Sequence, residues 1–125
     1  MPNKIVLLAA LILCATQFAC TDERARAASA ATGGDYHRGL AAISRYGCGA
    51  CHTIKGIQNA RGLVGPPLTN LRSRNFVAGM LINTPDNLEQ WIQKPKSFNP
   101  RTAMPDLGVN NQDAVDIAAY LYTLK

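Results

Sequence analysis

Histidine and cysteine, from which most protein metal sites are built, are scarce in this chain: two histidines and four cysteines in 125 residues. Cys14 and Cys20 fall within or just after an apolar front end, so the four ligands of a structural zinc site are not at hand. Long hydrophobic runs are missing as well, since the stretch from Ile5 to Ala15 is too short to cross a bilayer. Acidic residues number 8 against 13 Lys and Arg, a net charge of +5 that falls to +4 if a leader carrying Lys4 is removed. The basic residues are scattered along the chain. That distribution argues against nucleic acid as a partner and is compatible with an acidic protein surface. The length allows one small domain with limited apolar burial.

Residues 1–20 read as a secretory signal: one Lys, a short apolar run, then small residues before a break. Cys20 directly after Ala19 resembles the lipidated cysteine of bacterial lipoproteins, although Gln17 and Phe18 depart from that pattern; the alternative is ordinary cleavage near Ala19 or in the following Ala-rich stretch. Residues 21–34 are rich in Ala, Arg, Ser and Gly without apolar periodicity, and are expected to form a flexible tether to a domain spanning 35–125. The expected location is the periplasm, with membrane anchoring if Cys20 carries a lipid.

The chemistry concentrates in Cys48-Gly49-Ala50-Cys51-His52. Two cysteines two residues apart, followed at once by histidine, form the spacing that attaches c-type haem. Each thiol adds across one vinyl group, a helical turn between them aims the imidazole at the iron, and small Gly49 and Ala50 let the backbone lie close to the porphyrin edge. A thioredoxin-like pair would require a βαβ setting that the flanking residues do not supply. A plain disulfide across two residues would close a short, strained loop.

Around this motif the chain reads as helices and rigid loops. Asp35 caps a helix to about Tyr46, with Gly39 and Ile43 on one face, and His37 stands on its polar side. Pro66 and Pro67 stiffen the segment after His52, and the Pro66 carbonyl is the expected acceptor for the second ring N–H of His52. Arg72, Arg74 and Asn83 are three candidates for pairing a haem propionate, with the choice among them open. A helix over about 87–94, opened by Pro85-Asp86 and stopped by Pro95, turns Leu88, Trp91 and Ile92 inward. Trp91 is placed to lie against the porphyrin. Met104, in Pro100-Arg101-Thr102-Ala103-Met104-Pro105, offers a soft thioether to the opposite face of the iron, a ligand that favours the ferrous state. The last helix begins at Asn110 or Asn111 and runs to about Leu124. Asn110 and Asp113 form its cap, and Ala114, Ile117, Ala118, Leu121 and Tyr122 are set to pack on the Gly39–Ile43 face.

In this order the pieces from Asp35 to Lys125 resemble a class I monohaem cytochrome c. The resemblance rests on Cys48-Gly-Ala-Cys51-His52, Gly65-Pro66, Trp91 before Lys94-Pro95, Thr102-Ala-Met104-Pro105, and Ala119-Tyr120-Leu121. It implies an all-α cytochrome c fold, three to five helices wrapped around one covalent haem. It also implies attachment by Cys48 and Cys51, axial ligation by His52 and Met104, Pro66 as acceptor for His52, Trp91 in the aromatic pocket position, and Thr102 bonding a propionate. The wording Gly65-Pro-Pro-Leu68 through Arg74, then Asn83-Thr-Pro85-Asp-Asn87-Leu88, resembles more closely the cytochrome c domain of caa3-type oxidase subunit II. No copper-binding cysteine pair or transmembrane hairpin precedes it in this sequence, so a domain standing alone is expected. The function implied is an exported single-electron carrier rather than an enzyme. Its partners would be a haem-copper oxidase and a dehydrogenase or quinol-oxidising complex, met through Lys55, Arg61, Lys94, Lys96 and Arg101 around the haem edge. Two alternatives stay open: a fixed haem subunit of a membrane complex, and a small haem enzyme or sensor with a labile Met104.

Overall fold

The computed structural model describes residues 23–125; the signal and lipidation readings at residues 1–20 lie outside the described residues. Residues 23–32 are helical (α1). The flexible tether expected over residues 21–34 is helical over most of its described part. Ala, Arg and Glu are good helix formers, and a single Ala28, fully buried in the core, docks the segment without any apolar stripe. Gly33, at φ +76°, ends the helix.

Helix α2 (Tyr36–Arg45) is capped as expected, the Asp35 carboxylate accepting from the Arg38 N–H at 2.8 Å. Gly39, Ala42 and Ile43 form its buried face. Helix α3 (Pro85–Gln93) starts with proline at its first position and a Thr84 hydroxyl cap, and buries Leu88 and Ile92. Pro95 does not simply stop it. Proline is equally suited to the first turn of a new helix, and the four-residue α4 (Pro95–Phe98) follows directly. Helix α5 (Asn111–Thr123) is closed by a reciprocal pair: Asn110 Oδ1 accepts from the Asp113 N–H at 2.8 Å, and its Nδ2 donates to Asp113 Oδ2 at 2.7 Å.

Helices α2 and α5 cross at Gly39, where a Cβ would collide with the Asp116 carbonyl oxygen. This is the packing expected from the sequence. Burial on α5 goes further than the expected stripe, taking in Asp116, Ala119 and Tyr120. The Asp116 carboxylate stays inside because it is fully bonded: Arg38 Nε and Nη2 donate to it at 2.7 and 3.0 Å, the Asp35 N–H at 2.7 Å and Gln112 at 3.2 Å. Burial alone would push this carboxyl up; the bonds from Arg38, Asp35 and Gln112 outweigh it and hold the pKa below the ordinary range.

The remaining regular structure is small. There are 3-10 turns at Cys48–Ala50 and Leu71–Ser73, and one antiparallel hairpin, β1 (Phe76–Val77) with β2 (Leu81–Ile82), in register Phe76↔Ile82 and Val77↔Leu81. Among the described residues the fold is all-α apart from this hairpin and an isolated bridge between Thr53 and Arg61; the hairpin turn sets Ala78 and Gly79 at φ +52° and +71°.

Candidate haem site

Gly47, at φ +70°, turns the chain out of α2 into the cysteine motif. The 3-10 turn is closed by Cys51 N–H to the Cys48 carbonyl at 3.2 Å, and His52 N–H reaches the same carbonyl at 3.0 Å. Both cysteines are free thiols and half-buried. Burial pushes the Cys48 thiol up. The turn is packed so tightly that a Cβ on Gly49 would lie 2.7 Å from that of Ala60.

The chain from Gly56 to Leu68 then folds back over the motif. Gly62 N–H bonds the Gly49 carbonyl at 3.1 Å, Gly65 N–H that of Cys51 at 2.8 Å, and Leu68 N–H that of Thr53 at 2.9 Å. This return brings the Pro66 carbonyl to 2.7 Å from His52 Nδ1, the contact expected from the sequence. A carbonyl can only accept, so Nδ1 carries the proton and the Nε2 lone pair is left for a metal. Gly65 backs onto the same ring: a Cβ there would stand 2.6 Å from Nδ1 and 2.9 Å from Nε2. Sequence reasoning used Gly65 only as part of a motif and missed this close approach. Its signal was a glycine immediately before the proline whose carbonyl holds the histidine.

The three propionate candidates are placed differently from one another. Both N–H donors of Asn83 are taken, by the Leu71 and Arg74 carbonyls at 2.7 and 2.8 Å, and its Oδ1 accepts from the Tyr122 hydroxyl at 3.0 Å. An amide has two such donors, and both are spent on carbonyls of the loop itself. Arg74 spends Nη2 on the Pro67 and Thr69 carbonyls at 2.6 and 2.7 Å, which makes it a brace of the loop, with Nε and Nη1 not used in those bonds. Arg72 is exposed and lines an open cleft of about 320 Å³ with Glu23, Arg24, Tyr122 and Lys125.

Met104 is half-buried in the loop between α4 and α5. Its N–H bonds the Thr102 hydroxyl at 3.2 Å, and Thr102 N–H bonds the Asn99 carbonyl at 3.0 Å. The Thr102 hydroxyl accepts there, so its own proton is free to donate outward. Trp91 is half-buried on α3, its ring centroid 6.4 Å from that of Phe98. Tyr120 joins the site to α5 by donating to the Lys55 carbonyl at 2.8 Å, while stacking on Tyr36 at 5.9 Å. His37 is exposed beside Tyr36, and among the described residues no cluster of three or more His, Cys, Asp or Glu could hold a metal ion.

This donor set suits haem c: two free thiols on one turn, an imidazole with its proton fixed on Nδ1, and a ring face against which only glycine fits. Residues 37–125 match the cytochrome c family. Cytochrome c oxidase subunit 2 of Alkalihalophilus pseudofirmus is 35% identical over 92 residues, which cover 71% of this chain and 25% of that protein. The corresponding subunit of Bacillus sp. strain PS3 is 28% identical over 88 residues, covering 67% and 25%. A cytochrome c homolog of Bradyrhizobium diazoefficiens is 37% identical over 99 residues, covering 70% and 53%. The chain thus spans about a quarter of the two oxidase subunits and about half of the homolog. No solved structure matches it. Motif, fold and similarity agree: the chain belongs to the cytochrome c family and is a haem electron-transfer protein whose cofactor is covalently attached haem c.

Proposed function

We propose that the protein is an exported single-electron carrier in which Cys48 and Cys51 hold haem c by thioether bonds and His52 and Met104 occupy the two axial positions. When bound, the haem supplies a one-electron iron couple. The chain's own residues do the rest. The Pro66 carbonyl fixes the His52 tautomer and raises its donor strength, Gly65 keeps the ring face clear, and Thr102 holds the Met104 backbone. Thr102 and Arg74 keep donors that suit the propionates, and Trp91 provides aromatic contact. Held by both His52 and Met104, the iron would exchange electrons without taking a substrate. The observation that carries this reading is the 2.7 Å contact from His52 Nδ1 to the Pro66 carbonyl, directly after two free thiols.

In this reading residues 1–20 direct export to the periplasm and residues 35–125 form the carrier domain, which is membrane-anchored if Cys20 carries a lipid and free if cleavage is ordinary. Among the described residues no helix is long and apolar enough to cross a membrane. Redox partners of the haem-copper oxidase type are supported by the similarity to oxidase subunits. The same similarity favours a second reading, a haem subunit held within a membrane complex, which co-purification after mild detergent extraction distinguishes from a free carrier.

Mass spectrometry of the exported protein is expected to show one covalent haem and to report any acyl chain. The absorption spectrum should be low-spin, with a near-infrared sulfur-to-iron band that Met104→Ala abolishes. A spectrum unchanged by Met104→Ala would overturn the axial assignment.

A further inference from the structure

The segment that presents the Pro66 carbonyl to His52 has almost no regular structure of its own, yet its carbonyls are tied down at close intervals. Those of Pro67 and Thr69 accept from Arg74, those of Leu71 and Arg74 accept from Asn83, and the Asn75 carbonyl accepts from the Asn83 backbone N–H at 2.9 Å. One side chain, Asn83, therefore holds both the 3-10 turn at Leu71 and the residue that braces Pro67. Two carbonyls on one end and a hydroxyl on the other fix its amide orientation. The hydroxyl belongs to Tyr122, which is 7% exposed near the end of α5. Burial pushes the Tyr122 phenol up, so it remains a donor at neutral pH. Hydrogen bonds thus lead from the buried C-terminal helix to Pro67, whose backbone neighbour Pro66 presents the carbonyl to His52.

We infer that Asn83, clamped by Tyr122, is a positioning residue for His52: through Arg74 and the Pro66–Arg74 segment it sets the carbonyl that orients the ring and tunes its donor strength. Asn83 touches neither the histidine nor a bound group in this role. Weakening the clamp should let the Pro66 carbonyl drift from Nδ1. The imidazole then becomes a poorer donor to ferric iron, and the ferric state loses stabilisation relative to the ferrous. The inference rests on the reading of His52 as iron ligand.

The test uses the haem-loaded full chain with Asn83→Ala, Tyr122→Phe and the double variant. Two quantities are read: solvent exchange of the His52 ring N–H by NMR, and the reduction potential. Asn83→Ala should speed the exchange by about tenfold and raise the potential; Tyr122→Phe, which removes one hydrogen bond, should act in the same direction by about threefold in exchange. The double variant should match Asn83→Ala, because both act along one path. Tyr46→Phe is the control, since it removes a tyrosine bond to Asp113, 2.7 Å long, on the other side of α5 and should leave both quantities unmoved. If Asn83→Ala does not fold, Tyr122→Phe decides alone. Unmoved exchange and potential with intact ligation would overturn the positioning role. A low-spin spectrum that survives His52→Ala would overturn the ligand reading and this inference with it.

Discussion

The frame of α2, α3 and α5 and the loops from Gly47 to Asn83 and Asn99 to Val109 are stabilised by different means. The frame buries Ala42, Ile43, Leu88, Ile92, Ala114, Ile117, Ala118 and Leu121, and its central polar group, Asp116, has partners for its carboxylate on every side. The loops bury Ile54, Leu71, Val77 and Val109 in the same core but carry many of their large apolar side chains outward: Leu63, Val64, Phe76, Met80, Ile82 and Leu107 are exposed, against Leu40 in the described helices. Such side chains suit contact with an apolar macrocycle. Between the buried anchors, loop shape depends on side chains bonded to backbone carbonyls and on glycines at close approaches. A packed frame fails cooperatively, whereas a loop held bond by bond can lose its function while the frame persists.

Two glycine substitutions test this division, and they carry the largest expected effects. Gly39→Val places a side chain into the Asp116 carbonyl at the α2–α5 crossing and should cost at least about 3 kcal/mol. In calorimetry, that lowers the melting temperature by more than about 10 °C. Gly65→Val strikes the ring of His52 instead. It should abolish the low-spin haem spectrum while far-ultraviolet circular dichroism keeps the helical signal. Loss of helix in Gly65→Val, or an unaltered melting temperature in Gly39→Val, would dissolve the distinction between frame and loops.

The same division explains what could be read from the sequence. Caps at Asp35 and Asn110, the proline opening α3 and the apolar spacing of α2, α3 and α5 are local signals, visible within one or two turns. The contact from His52 to Pro66 was legible because a rigid proline segment follows the motif at short range. Asn83 was not, because its donors reach carbonyls 9 and 12 positions away along an irregular path. Helix α1 lacked the stripe that usually marks a docked helix, and one buried alanine replaced it. The hairpin was missed because its strands are two residues long and an alanine takes a left-handed turn position. Asp116 stands outside the apolar stripe of α5, and only the assembled α2–α5 crossing surrounds it with donors.

An intermediate effect is expected from Asp116. Its pKa in the folded protein lies below the unfolded value, so its contribution is complete above about pH 4 and is lost as pH falls through the lower folded value. Asp116→Ala removes the bonds from Arg38, Gln112 and the Asp35 N–H together, and should cost about 2–4 kcal/mol at neutral pH. Melting temperatures measured from pH 7 to pH 3 should therefore converge for the two proteins at the acid end. Curves that stay parallel would mean that the carboxylate is not what acid removes from the frame.

The smallest effect is expected from the exposed basic residues, because they belong to neither half's internal bonding. Lys55, Arg61, Lys94, Lys96 and Arg101 are all exposed, and none of the described salt bridges uses them. Replacing Lys94 and Lys96 by Glu should leave the unfolding free energy within about 0.5 kcal/mol of the parent and the haem spectrum unaltered. What should change is encounter. Long-range attraction to an acidic redox partner is lost, so the second-order electron-transfer rate falls several-fold at low salt. That difference should shrink as ionic strength approaches about 0.15 M, where the screening length is about 8 Å. A rate unaffected at low salt would remove these two lysines from the docking surface. A deficit that persists in high salt would instead mean that they touch the partner directly, so that the surface beside α4 is part of the electron-exit face and not only its electrostatic surround.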